Sequence, residues 1–359
     1  MKKIFTLLAL TISFSMNAQM DDNSANNNSA TGTYAVAMGY STEASGYGST
    51  AIGAYTEASG LVSTAMGRST TASGEASTAM GDATTAIGDY SIAMGRGTTA
   101  SGYYTTAMGD SSTASGTNST AIGAYTTASG YNSTAMGRYT TASKYASTAM
   151  GRNTTASGDV SIAMGDNTTA SAESSTAIGA YTTASDYASL VIGRYNSSGS
   201  SVTNSATAFS TSNTAFVIGN GADSSNKSDA FKVMFNGDAT VSNDLTVSGD
   251  VVVSSDARLK SNIVSLGSTL SRLLLIDGKS YEMKGKQKIG VLAQDIKEVF
   301  PELVTEDDNE MLAVNYQGLV PVLINALKEQ DGKMKEQESK YLEQEKRLKR
   351  LEKLVAQLD

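Results

Sequence analysis

Histidine and cysteine are both absent from the 359 residues. Without imidazole the chain lacks the commonest general base and a leading metal ligand, which argues against His-based catalysis and His-based metal sites. Without thiols there is no disulfide to form; disulfide-free repeats need no redox machinery, so this absence is compatible with export. Basic residues number 27 against 35 acidic ones, a formal charge of −8, which argues against nucleic acid as a partner. Long apolar runs are lacking as well. The run from Ile4 to Phe14 is too short to span a bilayer, and no other stretch offers a transmembrane anchor. It follows Met1-Lys2-Lys3 and precedes Ser15-Met16-Asn17-Ala18. A basic start, a short apolar core and a small residue at the cut predict a secretory signal cleaved after Ala18. Proline occurs only at Pro301 and Pro321.

What the chain does have is a rhythm. From residue 34 to 195 Ala recurs every seven residues, Ala37, Ala44, Ala51 and onward to Ala184, with Val191 as the last beat. One half reads Ala-Met-Gly or Ala-Ile-Gly, the other mostly Ala-Ser-Gly, so the unit is fourteen residues. A fixed period of this kind predicts a solenoid. Helix is excluded by Gly near the end of most heptads and by the lack of good helix formers. A coiled coil needs two large apolar residues per heptad, and about half of these heptads have none. Short strands with Gly at the bends remain. Alternation puts Thr and Met of Ser-Thr-Ala-Met-Gly on one face and Ser, Ala and Gly on the other. Large apolar residues belong inside, so the expected core is Met66, Met80, Met94, Met108, Ile122, Met136, Met150, Met164 and Ile178. The small-residue face would then pack against another copy. In Thr-Thr-Ala-Ser-Gly the phase should flip, with Ala inward and a Thr/Ser ladder outward. One large side chain per coil is a thin core for fourteen ordered residues, so several rolls packed together are expected.

These repeats resemble the head of YadA-type trimeric adhesins over about 160 residues. The resemblance implies a mainly β fold, a left-handed parallel β-roll, and a homotrimer. Before the roll, residues 19–33 are rich in Asn, Ser and Asp and read as a flexible leader. The turns hold Tyr55, Tyr90, Tyr103, Tyr125, Tyr139, Tyr181, Arg68, Arg96, Arg138 and Arg152, residue types common on binding surfaces. After Tyr195 the frame is lost, with a late echo at Ala215-Phe216-Val217-Ile218-Gly219. Residues 196–254 read as a neck and β stalk, with alternating apolar residues through Val253 and a turn at Asn236-Gly237.

Composition changes abruptly at residue 255, where Lys, Glu and helical periodicity take over. Ser255-Asp256-Ala257-Arg258-Leu259-Lys260 is followed by Gly290-Val291-Leu292-Ala293-Gln294. Together these resemble the intramolecular chaperone and auto-processing domain that ends phage endosialidases, tail fibres and related trimeric proteins. The resemblance implies an α+β domain (255–359) that trimerises, lets the preceding β-structure fold in register, and then cuts itself off. It implies Ser255 as nucleophile and Lys260 as base, with Asp256 and Arg258 completing the motif. Attack on the neighbouring carbonyl would break the Ser254–Ser255 bond or the bond after Ser255. With no His available, a desolvated Lys can serve as base. Enzymatic action would be at most this single turnover, with no external substrate, metal or cofactor. Residues 327–359 carry a heptad, Leu327, Met334, Tyr341, Leu348 and Val355 with Gln330, Gln337, Gln344, Leu351 and Leu358, expected to form a trimeric coiled coil.

The sequence thus predicts an exported, secreted or surface-bound homotrimeric fibre whose head binds a glycan or matrix protein. An ice-binding solenoid with a Thr/Ser face is one rival; turn residues and the phase flip count against it. A phage-derived tail fibre is another; the signal segment counts against that.

Overall fold

The computed structural model describes residues 20–21, 27–307 and 310–357; the expected signal segment, residues 1–18, lies outside them. The described chain forms two compact units, Met1–Ser248 and Gly249–Asp359.

The first unit is the predicted parallel solenoid. A typical coil has a long strand, Thr64–Arg68, and a short one, Thr71–Ala72. Two residues connect long to short and five connect short to the next long strand. Each long strand pairs in parallel with the one fourteen residues on, Ala65 opposite Ala79, Met66 opposite Met80, Gly67 opposite Gly81. Long strands make up most of a sixteen-stranded sheet, and the short ones form a twelve-stranded sheet. Stacking this close leaves no room for Cβ at some positions. A Cβ on Gly67, whose φ is +121°, would lie 2.0 Å from the Gly81 carbonyl oxygen.

On the long strands the alternation is as expected, but its direction is reversed. Every beat of Ala, from Ala37 to Ala184, is fully buried, as are Ser63, Thr70 and their counterparts. The expected core residues Met66, Met80, Met94, Met108, Ile122, Met136, Met150, Met164 and Ile178 lie on the outer face of the long-strand sheet, partly exposed, with Met136 at 38%. The connections are so short that the interior admits a methyl or a hydroxyl and no more. Large side chains are therefore pushed outside, and the small-residue face is the inside. On the short strands the expected placement holds, with Ala72 inward and Thr71 and Ser73 outward; because the long strands also turn Ala inward, there is no flip between the halves. Some buried hydroxyls find partners inside the roll: Ser161 Oγ donates to the Gly158 carbonyl at 2.6 Å, and Thr126 Oγ1 to the Ser112 hydroxyl at 2.8 Å.

Two boundaries also shift. Ser29–Ala30 pairs with Glu43–Ala44, and Met20–Asp21 with Val36–Ala37. Buried Asn28 accepts from the Thr42 amide and hydroxyl. Where it is described, the expected leader is therefore the first coil, its polar composition tolerated because roll interiors here are polar as well. At the other end Thr214–Asn220 pairs in register with Leu190–Arg194, Val217 opposite Val191. The frame expected to end at Tyr195 is interrupted by an insertion and then resumes for one strand. Antiparallel strands Asp229–Met234 and Ala239–Val241 close the sheet. Beyond them the expected stalk strands through Val253 do not form in the single chain. Residues 242–256 have no regular structure, and Val251, Val252 and Val253 are exposed.

The second unit is α+β. It contains helices α1 (Leu270–Leu273), α2 (Ala293–Val299) and α3 (Leu319–Val355), the hairpin Lys279–Met283/Lys286–Gly290, and the pair Val304–Glu306/Leu312–Val314. Its core is small: Ile296, Phe300, Leu303 and Val322 are buried, with Leu273, Val291 and Val314 against them. Arg272 stacks on Phe300, 4.0 Å from the ring centre, and donates to the Val299 carbonyl. Glu329 of α3 accepts from Ser268 Oγ and the Thr269 amide, holding the start of α1.

Candidate functional site

Ser255 and Lys260 are five residues apart and would be too distant in an extended chain to meet. The 3-10 turn Ala257–Leu259 brings them together. Asp256 caps that turn by accepting from the Arg258 amide at 2.8 Å, and pairs with the Arg258 guanidinium at 2.7 Å. This gives the otherwise unassigned Asp256 and Arg258 a local role: cap and clamp. The clamp holds Asp256 below the usual aspartate range, chiefly through the side-chain bond from Arg258. Lys260 Nζ then lies 2.7 Å from Ser255 Oγ, donating to it. Arg258 turns its charge to Asp256 and not to Lys260. Ser254, Ser255 and Lys260 are all exposed. The arrangement has the reach of a nucleophile and base, but a single chain does not exclude water from it.

The roll offers two other surfaces. One is the outer face of its long strands, where Met and Ile stack coil upon coil from Met38 to Ile192. A continuous apolar stripe of this length is unusual on a lone soluble chain. The other is the edge where long strands turn into short ones. Here Arg68 pairs with Asp82, Arg96 with Asp110 and Arg152 with Asp166, each at 2.5–2.6 Å and one coil apart. Each Asp is held below its ordinary value by its Arg's side-chain bond. On the same edge the rings of Tyr125 and Tyr139 stack 5.0 Å apart, and those of Tyr181 and Tyr195 stack 4.4 Å apart.

Sequence reasoning missed the Arg–Asp pairs, although their spacing of fourteen is the repeat itself. Asp186, which stands in a slot that holds Gly in most heptads, is a second such residue. Asp186 is fully buried, accepts from the Thr203 amide at 2.6 Å and hydroxyl at 2.7 Å, and from the Thr214 amide at 2.9 Å. It fastens the insertion to the last coils. The departure from Gly was the available signal.

Comparison with known families now bears on both units. The YadA head domain repeat model matches residues 30–56 and, in overlapping windows, 58–195. The roll is similar to the YadA head. The chaperone of endosialidase model matches residues 255–305, beginning at Ser255 itself. A YadA-like head and an endosialidase-chaperone-like segment therefore stand in one chain, in that order. No curated protein matches the chain. No described helix is long and apolar enough to cross a membrane, which leaves β-barrel spans unaddressed.

Proposed function

We propose that the chain is an exported fibre-forming adhesin that assembles as a homotrimer through the Met/Ile faces of its YadA-like rolls. The observation that carries this reading is the unpartnered apolar stripe on a roll whose repeating coils bury Ala, Ser and Thr, with Val only at the last strands, Val191 and Val217. Burying that stripe supplies the hydrophobic stabilisation that the thin interior lacks. The heptad of α3 supports the same reading. Leu327 is 69% exposed and Tyr341 68%, a stripe that awaits other helices. Leu358, the heptad's last position, lies outside the described side chains. The C-terminal unit trimerises first and sets the register of the three rolls, offsetting the entropy of aligning distant strands. Tyr and Arg at the roll's turns form the adhesive surface.

Self-cleavage completes the cycle. Ser255 Oγ attacks the Ser254 carbonyl carbon while neutral Lys260 takes the hydroxyl proton; that proton passes to the Ser255 nitrogen as the Ser254–Ser255 C–N bond breaks, leaving Ser254 as an ester on Ser255 Oγ, and water then hydrolyses the ester and separates the fragments. Neighbouring copies supply the desolvation that favours neutral Lys. Intact mass of assembled wild type, Ser255→Ala and Lys260→Ala tests this. Two fragments are expected from wild type and one full-length chain from each variant. Fragments persisting in Ser255→Ala would place the nucleophile elsewhere, and a monomeric wild type by light scattering would overturn the trimer.

A second reading keeps one supporting observation. From Thr71 to Thr183 every coil presents Thr at the same outward short-strand position, in register. That regular hydroxyl rank removes the phase-flip objection to ice binding. Thermal hysteresis of the protein would favour this reading, and its absence would dismiss it.

A further inference from the structure

The Arg residues along the turn edge fall into two groups. Arg68, Arg96 and Arg152 each give two N–H groups to an Asp one coil on. Arg138 and Arg194 have no ion pair among the described residues; each lies instead over its neighbouring Tyr, 4.9 Å from the Tyr139 ring centre and 5.1 Å from that of Tyr195. Both Tyr rings in turn stack on a Tyr one coil earlier, Tyr125 or Tyr181, with planes 16° and 11° apart. The slot opposite each Arg in the earlier coil is small, Ala124 or Ala180. One constellation thus occurs twice, four coils apart. Arg68 is an internal control: it too follows an Ala-Tyr coil, Ala54-Tyr55, but Asp82 occupies its guanidinium and Ser69 stands where the second Tyr would be.

We propose that Tyr125, Arg138 and Tyr139 form a binding site for an acidic polysaccharide, repeated by Tyr181, Arg194 and Tyr195. A guanidinium whose face is stacked still directs its N–H donors outward in a plane suited to a carboxylate or sulfate. The phenol rings, exposed at Tyr125, Tyr139 and Tyr181 and half-buried at Tyr195, offer an apolar surface to the C–H face of a sugar and hydroxyls to its rim. Duplication along a rigid rod suits a polymer that repeats its charge, and three copies per assembly would add avidity. The Arg138 site is the stronger, because Asp223 lies close enough to Arg194 to feel its charge. This inference rests on the adhesive reading of the turn surface and gives that surface a ligand class.

The test uses the full chain as expressed, with immobilised polygalacturonate, heparin and dextran as probes at low and physiological salt. Binding to polygalacturonate, heparin or both, with none to dextran, is expected; the first two arms separate carboxylate from sulfate. Arg138→Gln should weaken binding about tenfold, as loss of one charge-assisted contact multiplied across copies would. Arg194→Gln should weaken it less, and Arg68→Gln should leave it unchanged. Equal loss in Arg68→Gln, no loss in the Arg138→Gln/Arg194→Gln double variant, or equal binding to dextran would each overturn the proposal. Light scattering on the same samples keeps the two readings apart. A wild-type trimer that binds neither acidic polymer defeats this site and leaves the fibre standing, whereas a monomer defeats the fibre.

Discussion

The two units solve the folding problem in opposite ways. In the roll every coil is closed by its neighbours: strands pair fourteen residues on, Ala meets Ala, and between Ala37 and Ala184 no buried side chain is larger than Thr. Its specificity lies in backbone stacking, and its apolar side chains are left outside. In the C-terminal unit a handful of large residues around Phe300 and Ile296 make the core, and the backbone of α3 runs on past it with Leu327, Met334, Tyr341 and Leu348 exposed. The roll is complete as a backbone and unfinished as a surface. The C-terminal unit is unfinished as a helix bundle. On the proposed reading both await the same thing, a set of identical partners, and the helices are the simpler place to recruit them because heptads pair without long-range register.

The sharpest way to break this comparison is to remove the helices. Synthesis truncated after Val253 should give aggregated or misregistered roll and no soluble trimer by light scattering. Normal yield of trimer would show that the roll needs no chaperone. Next in size is one substitution made in both units. Gly109→Ala in the roll places a Cβ 2.0 Å from the Gly123 carbonyl oxygen at a φ of +115°, and the nearest atoms are all Gly123 backbone, with no flexible side chain to give way. A loss of about 3 kcal/mol or more is expected, from left-handed strain plus the clash. Gly332→Ala in α3 meets nothing within 4 Å and should stabilise the helix by about 1 kcal/mol. Thermal melts of the two variants should move in opposite directions. If both destabilise, α3 is doing something other than forming a helix at that position.

A smaller effect separates the inside of the roll from its outside. Ala107→Leu forces a branched side chain into a fully buried slot and should cost about 1–3 kcal/mol in melting. Met108→Asp, one residue on and partly exposed, should leave the roll's circular dichroism intact while abolishing the trimer. Unfolding by Met108→Asp to the extent seen for Ala107→Leu would return Met to the interior.

These adjacent residues also show what was readable from sequence. Period, strand length and alternation follow from spacing alone, so the solenoid was legible, as was the Ser255–Lys260 pair through its motif. Which face is inner was not. Hydrophobicity places Met inside, yet interior width is decided by how few residues turn the corner, and a two-residue connection leaves space only for Ala107. The same geometry hid the role of Asp186, since a carboxylate in a Gly slot has meaning only once Thr203 and Thr214 are seen beside it. The stalk strands beyond Val241 were overread, because alternation in Leu245–Val253 specifies strands only if a partner is present to pair with.

The smallest expected effect concerns charge. In the roll, ion pairs bridge coils, Arg152 to Asp166 across fourteen residues; in α3 they bridge turns of one helix, Lys340 to Glu336 across four. Both carboxylates are held below their ordinary values, Asp166 from 3.8 and Glu336 from 4.5, chiefly by the side-chain bonds they accept. A folded value that is depressed contributes stability above the unfolded value and loses it as pH falls through the lower folded one. Acid below about pH 4 should therefore weaken both units, and water and salt screen both sets of exposed pairs. The difference lies in what is released. Losing Glu336–Lys340 frays a helix locally, whereas losing Arg152–Asp166 loosens one coil from the next. Hydrogen exchange at pH 3 should accordingly rise at the amides joining the coils of residues 152 and 166, and Asp166→Asn should produce the same rise at pH 7 without acid. The change should stay well below that of Gly109→Ala, because backbone pairing holds the coils whether or not the edge is charged. An acid response in Asp166→Asn equal to that of wild type would show that the edge pairs carry none of it.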